Sequence, residues 1–212
     1  MAKLRISKSR ALPIDAVTQR ISILGKTRSG KSHTAGVIVE EVLKARQQVV
    51  IMDPKGDWWG LRSSADGKSA GLHIHVMGGK RGDVPLEPTA GALIADLVVD
   101  EGVSVVLDFS LFDSKADEIR FATSFLDRFY RKNTKPILLV VDEADVFAPQ
   151  HPEKNETVML NRMETICRRG AGRGIGVVLV SQRSAALHKG CLSQTELMVA
   201  HQTTGAQDKD AR

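Results

Sequence analysis

No stretch of the sequence approaches the roughly 18 uninterrupted apolar residues that a membrane-spanning helix needs, so a membrane protein is not expected. Cysteine is scarce: Cys167 and Cys191 stand alone, without a CxxC pair. That argues against both a disulfide framework and a zinc site, and the two thiols read as buried groups in a reducing compartment. The opening MAKLRISKSRALPID carries basic residues with no apolar stretch behind them, which does not fit a secretory leader. Internal repeats and low-complexity tracts are also missing. These absences together point to a cytoplasmic globular chain.

What is present is an ordinary globular composition, 42% hydrophobic and 26% charged over 212 residues, enough for one substantial core. The expectation is a single domain over 1–212, with 1–15 as a lead segment. A net charge of +5 is mildly basic. It suits a polyanionic partner, although a pocket for nucleotide phosphates would use some of the same charge.

Apolar, β-branched runs alternate with helical patterns along most of the chain. Strands are predicted at 21–24, 49–52, 73–77, 103–109, 137–141, 175–180 and 197–199. Helices are predicted at 31–46, 89–99, 115–131, 156–169 and, briefly, 184–189. Near-continuous apolar strands are buried on both faces, as in a parallel sheet covered by helices, so the predicted class is α/β. In the third helix, Ile119, Ala122, Phe125, Leu126 and Phe129 share one stripe and are read as core. The loop 53–71 is long and rich in turn residues, which suggests a functional or mobile segment. Trp58 and Trp59 within it are read as packing under the loop, with contact to bases or a neighbour as the other option. His73 and His75 are close enough for a metal pair but have no third ligand at a telling spacing, and are read as strand residues.

Gly25, Gly30, Lys31 and Ser32 satisfy G-x-x-x-x-G-K-[ST] between a predicted strand and a predicted helix. This order is what phosphate binding requires: glycines let backbone N–H groups turn inward, and the helix N-terminus adds partial positive charge. The segment Gly25, Lys26, Thr27, Arg28, Ser29, Gly30, Lys31, Ser32 and His33 is therefore the expected loop around a nucleotide's phosphates. Lys31 would reach the β- and γ-phosphates, and Ser32 would offer its hydroxyl to Mg²⁺. Arg28 stands where glycine is common, so it would occupy a backbone conformation that glycine adopts more freely. It is read as solvent-exposed. Thr34 is read as facing the first helical turn.

The strand 137–141 ends in two acids. Asp142 is placed to bind Mg²⁺, and Glu143 to act as base toward the water that attacks the γ-phosphate. Asp145 is read as a solvated acid, with support of the site as the other option. The next strand ends in Ser181, Gln182 and Arg183, where Gln182 can sense the γ-phosphate through a hydrogen bond. Between these strands lies a basic cluster of Arg162, Arg168, Arg169 and Arg173. Arg168, Arg169 and Arg173 are candidates for an arginine acting on a neighbouring molecule's site; the alternative is complementing a helix C-terminus. Glu143 argues against a small-molecule phosphotransferase, because a kinase gains nothing by activating water.

The segments LPIDAVTQRISILGKTRSGKS, VVIMDPKGDWWG, HVMGGKRGDVPL, ILLVVDEAD, RRGAGRGIGVVLVSQRSAALHKG and HQTTGAQDKDAR resemble the HerA/FtsK group of P-loop motor ATPases, and within it the HerA-like proteins. The resemblance implies a RecA-like core, ATP hydrolysis, a hexameric homo-oligomeric ring and DNA threaded through it. It carries the family roles onto Lys31, Ser32, Asp142, Glu143 and Gln182. It places a trans-acting arginine within Arg168–Arg173 without choosing one. Asp53 and Lys55 of DPKG match a family segment but receive no chemical role. Two departures stand out: longer members carry a small β-barrel ahead of the ATPase, and 203–212 looks like the start of a helix that relatives continue. A subunit whose ATP state gates a nuclease or other effector, without translocation, is the alternative to a motor.

Overall fold

The computed structural model describes residues 3–7, 9–64 and 66–202. The helix start expected at 203–212 lies outside the described residues. The chain begins with a small antiparallel hairpin, β1 (Lys3–Arg5) against β2 (Ala11–Pro13), within what the sequence suggested only as a lead segment. Then follow β3 (Arg20–Leu24), α1 (Lys31–Lys44), β4 (Gln48–Asp53), β5 (His75–Gly78), α2 (Gly91–Glu101), β6 (Val105–Asp108) and α3 (Lys115–Lys132). The second half contains β7 (Ile137–Val141), α4 (Ala144–Phe147), α5 (Thr157–Arg169), β8 (Ile175–Ser181), α6 (Lys189–Leu192) and β9 (Leu197–Ala200).

Strands β3 to β9 form one seven-stranded sheet in the order β5-β6-β4-β7-β8-β3-β9, with every pairing parallel. All residues of β6, β7 and β8 are buried, because helices cover both faces. The alternating side chains of these strands feed two cores. One face packs on α2, α3 and α5, and the α3 stripe Ile119, Ala122, Phe125, Leu126 and Phe129 is buried there as its 3.6-residue period requires. The other face packs on α1 and on Leu4 of β1, which explains why a hairpin ahead of the sheet is ordered.

The predicted elements are present, with shifted ends. His75 lies in β5, but His73 precedes it. The helix expected at 184–189 is instead a 3₁₀ turn, Ser184–Ala186, followed by the four-residue α6. The strand expected at 103–109 is confined to Val105–Asp108. Cys167 and Cys191 are both buried thiols. Among the described residues, no helix is long and apolar enough to cross a membrane.

Because all seven strands run the same way, their C-terminal ends share one edge of the sheet. In open parallel sheets that edge is where ligands bind. The phosphate loop follows β3, the acid pair follows β7, and β8 lies between them.

Candidate nucleotide site

The loop from Gly25 to Gly30 has a backbone that few other residues could adopt. Gly25 lies at φ +154°, and a Cβ there would stand 2.6 Å from Cβ of His201, closer than atoms tolerate. Gly30, the residue before α1, is left-handed at φ +97°. Arg28 is also left-handed, at φ +61°, and exposed, as the sequence suggested; its side chain pays a conformational cost that glycine avoids.

Lys31 opens α1 and is only 6% exposed, with its ammonium donating to the Lys26 carbonyl at 2.8 Å. Burial pushes its pKa down, and the nearby charges of Glu143 and Asp142 oppose that push. The acid pair is thus close enough to Lys31 to act on its charge. Lys31, Ser32, Asp142, Glu143 and Gln182 line one hollow. Ser32 is exposed at the mouth of α1, where a hydroxyl can reach a ligand. An exposed hydroxyl and a buried carboxylate lining one hollow are a donor set that suits Mg²⁺.

Asp142 is buried, which raises its pKa, while hydrogen bonds from the Trp58 indole and the Glu143 N–H pull the other way. The residue after it, Glu143, is left-handed at φ +43°, a strained conformation for a non-glycine residue. Its Oε1 receives hydrogen bonds from Lys55 Nζ and Gln182 Nε2. The Thr27 hydroxyl in turn donates to Gln182 Oε1. A continuous polar chain therefore runs from the phosphate loop through Gln182 to Glu143 and on to Lys55.

Three contributors carried no assigned role in the sequence. Lys55 stands just past β4, next to β7 in the sheet, and its pairing with Glu143 holds its own pKa up. Asp53 ends β4, and its buried carboxylate accepts backbone N–H groups of Lys55 (3.1 Å), Gly56 (2.9 Å) and Trp58 (2.9 Å). Burial lifts its pKa to about 6, against the pull of those hydrogen bonds. His201, just past β9, braces the phosphate loop: Nδ1 lies 2.9 Å from the Ser29 carbonyl and Nε2 lies 3.0 Å from the Thr34 hydroxyl. Thr34 is thus tied to β9, rather than only facing its own helical turn. The signal for Lys55 and His201 was their place after strand ends in a parallel sheet, which the sequence suggests only once strand order is known.

Other expectations resolve differently. Asp145 is not a solvated acid: it is half-buried and accepts the Ser181 hydroxyl at 2.8 Å. Trp58 is buried and donates to Asp142 Oδ2 at 2.9 Å, whereas Trp59 is exposed and stacks under Arg81, whose guanidinium carbon lies 3.6 Å from the ring centroid. The arginines are not brought to this hollow. Arg168 pairs with Glu164 at 2.8 Å, Arg162 pairs with Asp127, and Arg169 is exposed. Arg173 donates to the Arg131 carbonyl at 2.8 Å and lies over the Tyr130 ring. These residues precede β8, whose far end carries Gln182; seven residues of strand put them about 20 Å from their own phosphate loop.

Comparison with known proteins agrees with this geometry. Residues 5–83, which hold the phosphate loop and the DPKGDWWG turn, match the family model described as Helicase HerA, central domain. A stretch of 76 residues is 37% identical to a probable DNA double-strand break repair helicase HerA of Methanocaldococcus jannaschii. Over this first part the chain is similar to HerA. A second relative, the DNA double-strand break repair helicase HerA of Pyrococcus furiosus, is 32% identical to this chain over 96 residues. The two matches cover 36% and 45% of the chain and span only 14% and 17% of the relatives' own lengths. The fold extends further than the sequence similarity. The genome packaging NTPase B204 of Sulfolobus turreted icosahedral virus 2, solved with ATP-gammaS, superposes with a TM-score of 0.58 at 18% identity, over 92% of this chain and 80% of the viral one.

Proposed function

We propose that this chain binds ATP with Mg²⁺ in the hollow between the phosphate loop and the acid pair, and hydrolyses it. The observation that carries this reading is the shared hollow itself, lined by Lys31, Ser32, Asp142 and Glu143, with Gln182 bonded to both Thr27 and Glu143. The loop N–H groups and Lys31 would hold the β- and γ-phosphates, with Ser32 and Asp142 holding the ion. Mg²⁺, when bound, offsets charge on the phosphate oxygens. Glu143 would take a proton from the attacking water. To do so its Oε1 must be released by Lys55 and Gln182, which both donate to it. Gln182, bonded to both Thr27 and Glu143, would report on the γ-phosphate.

We further propose that hydrolysis moves duplex DNA, or moves the protein along it, in a homo-oligomeric ring. The support is the similarity to two HerA relatives named as DNA double-strand break repair helicases, the fold shared with a genome-packaging NTPase, and the position of Arg168, Arg169 and Arg173 on the edge opposite their own site. There they lie too far from their own hollow to act on it, and a neighbouring subunit's hollow is the site they would serve. Hydrolysis assayed with and without duplex DNA tests this reading. The expected result is Mg²⁺-dependent turnover that duplex DNA stimulates, with binding that weakens steeply as salt rises. A chain that hydrolyses ATP but neither binds duplex DNA nor responds to it at low salt instead fits a subunit gating a nuclease or other effector. The Lys55 hold on Glu143 is the observation that favours that second reading, since it keeps the base occupied.

A further inference from the structure

Asp142 is buried at the end of an apolar strand, so few groups can decide which way its carboxylate faces. Oδ1 accepts the Glu143 N–H at 2.9 Å, and Oδ2 accepts the Trp58 indole Nε1–H at 2.9 Å. A carboxylate oxygen has two acceptor positions, so one donor on each leaves one free position on each oxygen. The two donors thereby fix the direction of the free pair. The Glu143 N–H is a backbone group, present whatever side chain follows. The indole is the side chain that completes the arrangement.

Trp58 is itself rigidly placed. It is 6% exposed and packed into the core on the α1 side. Its backbone N–H is held at 2.9 Å by Asp53 Oδ2, while Asp53 Oδ1 holds the N–H groups of Lys55 and Gly56. Gly56 is left-handed at φ +74°, and a Cβ there would lie 2.8 Å from the Ser110 hydroxyl and 2.9 Å from Asp108 Oδ2. The turn 53–58 therefore has one shape, and that shape delivers an N–H to the acid.

We propose that Trp58 is a positioning residue for Asp142: its indole N–H turns the carboxylate so that its free acceptor positions face Ser32 across the hollow. This rests on the ATP–Mg²⁺ reading above and adds to it a side chain that touches neither nucleotide nor ion. A tryptophan present only to fill the core could be replaced by phenylalanine with a loss of stability and nothing more. One that positions Asp142 carries a second, separable consequence for the metal.

The test compares the unaltered chain with Trp58→Phe by titration calorimetry, using a non-hydrolysable ATP analogue first without Mg²⁺ and then with increasing Mg²⁺. Analogue binding without metal should stay within about twofold, while the Mg²⁺ midpoint should rise about tenfold, as for loss of a group that orients a metal ligand. An unchanged midpoint in folded Trp58→Phe overturns the inference and leaves the ATPase reading standing. An unaltered chain that takes up no Mg²⁺ with the analogue overturns the ATPase reading itself. Should Trp58→Phe fail to fold, Trp59→Phe leaves Trp58 as the sole indole. Its emission should shift when Mg²⁺ is added to the analogue-loaded protein, and should not shift when Asp142→Asn is also present. Emission that ignores Mg²⁺ overturns the proposal.

Discussion

Glu143→Gln is expected to bind ATP as the unaltered chain does while hydrolysing it about 10²–10⁴-fold more slowly, the usual contribution of a positioned general base. Binding should survive because the substitution keeps shape and keeps an oxygen that can accept from Lys55 and Gln182, the two donors now on Glu143 Oε1. What it removes is the carboxylate's ability to take a proton. The left-handed backbone at this position, φ +43°, is no more strained for glutamine than for glutamate, so stability should change little. Steady-state turnover and equilibrium nucleotide binding, measured side by side, separate the two effects. Near-normal turnover would remove Glu143 from the role of base.

The second large effect concerns the arginines. If a subunit's own Arg168, Arg169 and Arg173 serve a neighbour, removing the acting one should lower turnover by about 10³–10⁵-fold while leaving ATP binding intact. Arg168 and Arg173 already hold Glu164 and the Arg131 carbonyl, so Arg169, exposed at the end of α5, is the one free to reach outward without breaking a described ion pair or carbonyl contact. Mixing Arg169→Ala subunits with Lys31→Ala subunits should recover part of the activity. In such a mixture an intact phosphate site on one subunit can meet an intact arginine on its neighbour. Failure of every arginine variant to complement Lys31→Ala would count against a shared site.

How much of this was legible beforehand depended on whether the signal was local. The phosphate loop could be read directly because its glycines, lysine and serine are contiguous and flanked by a strand and a helix. The acid pair could be read because five apolar residues announce a buried strand before it. The α3 stripe was equally plain from its spacing. By contrast, the pairing of Lys55 with Glu143 and of Trp58 with Asp142 depends on β4 lying beside β7, and strand order is set by packing across the whole sheet. His201 reaches the phosphate loop because β9 pairs with β3, a contact across some 170 residues of chain. The β1–β2 hairpin was missed because three-residue strands are too short to show an alternation. Asp145 looked like any acid past a strand end until Ser181 was found beside it on β8.

The central claim is that Lys31 and the Asp142–Glu143 pair meet on one metal-bound triphosphate, and a crystal structure with a non-hydrolysable ATP analogue and Mn²⁺ tests it most directly. The account predicts a single anomalous peak between the Ser32 hydroxyl and the Asp142 carboxylate, with the γ-phosphate against Lys31. A nucleotide bound elsewhere, or a metal peak that touches neither Ser32 nor Asp142, would contradict it.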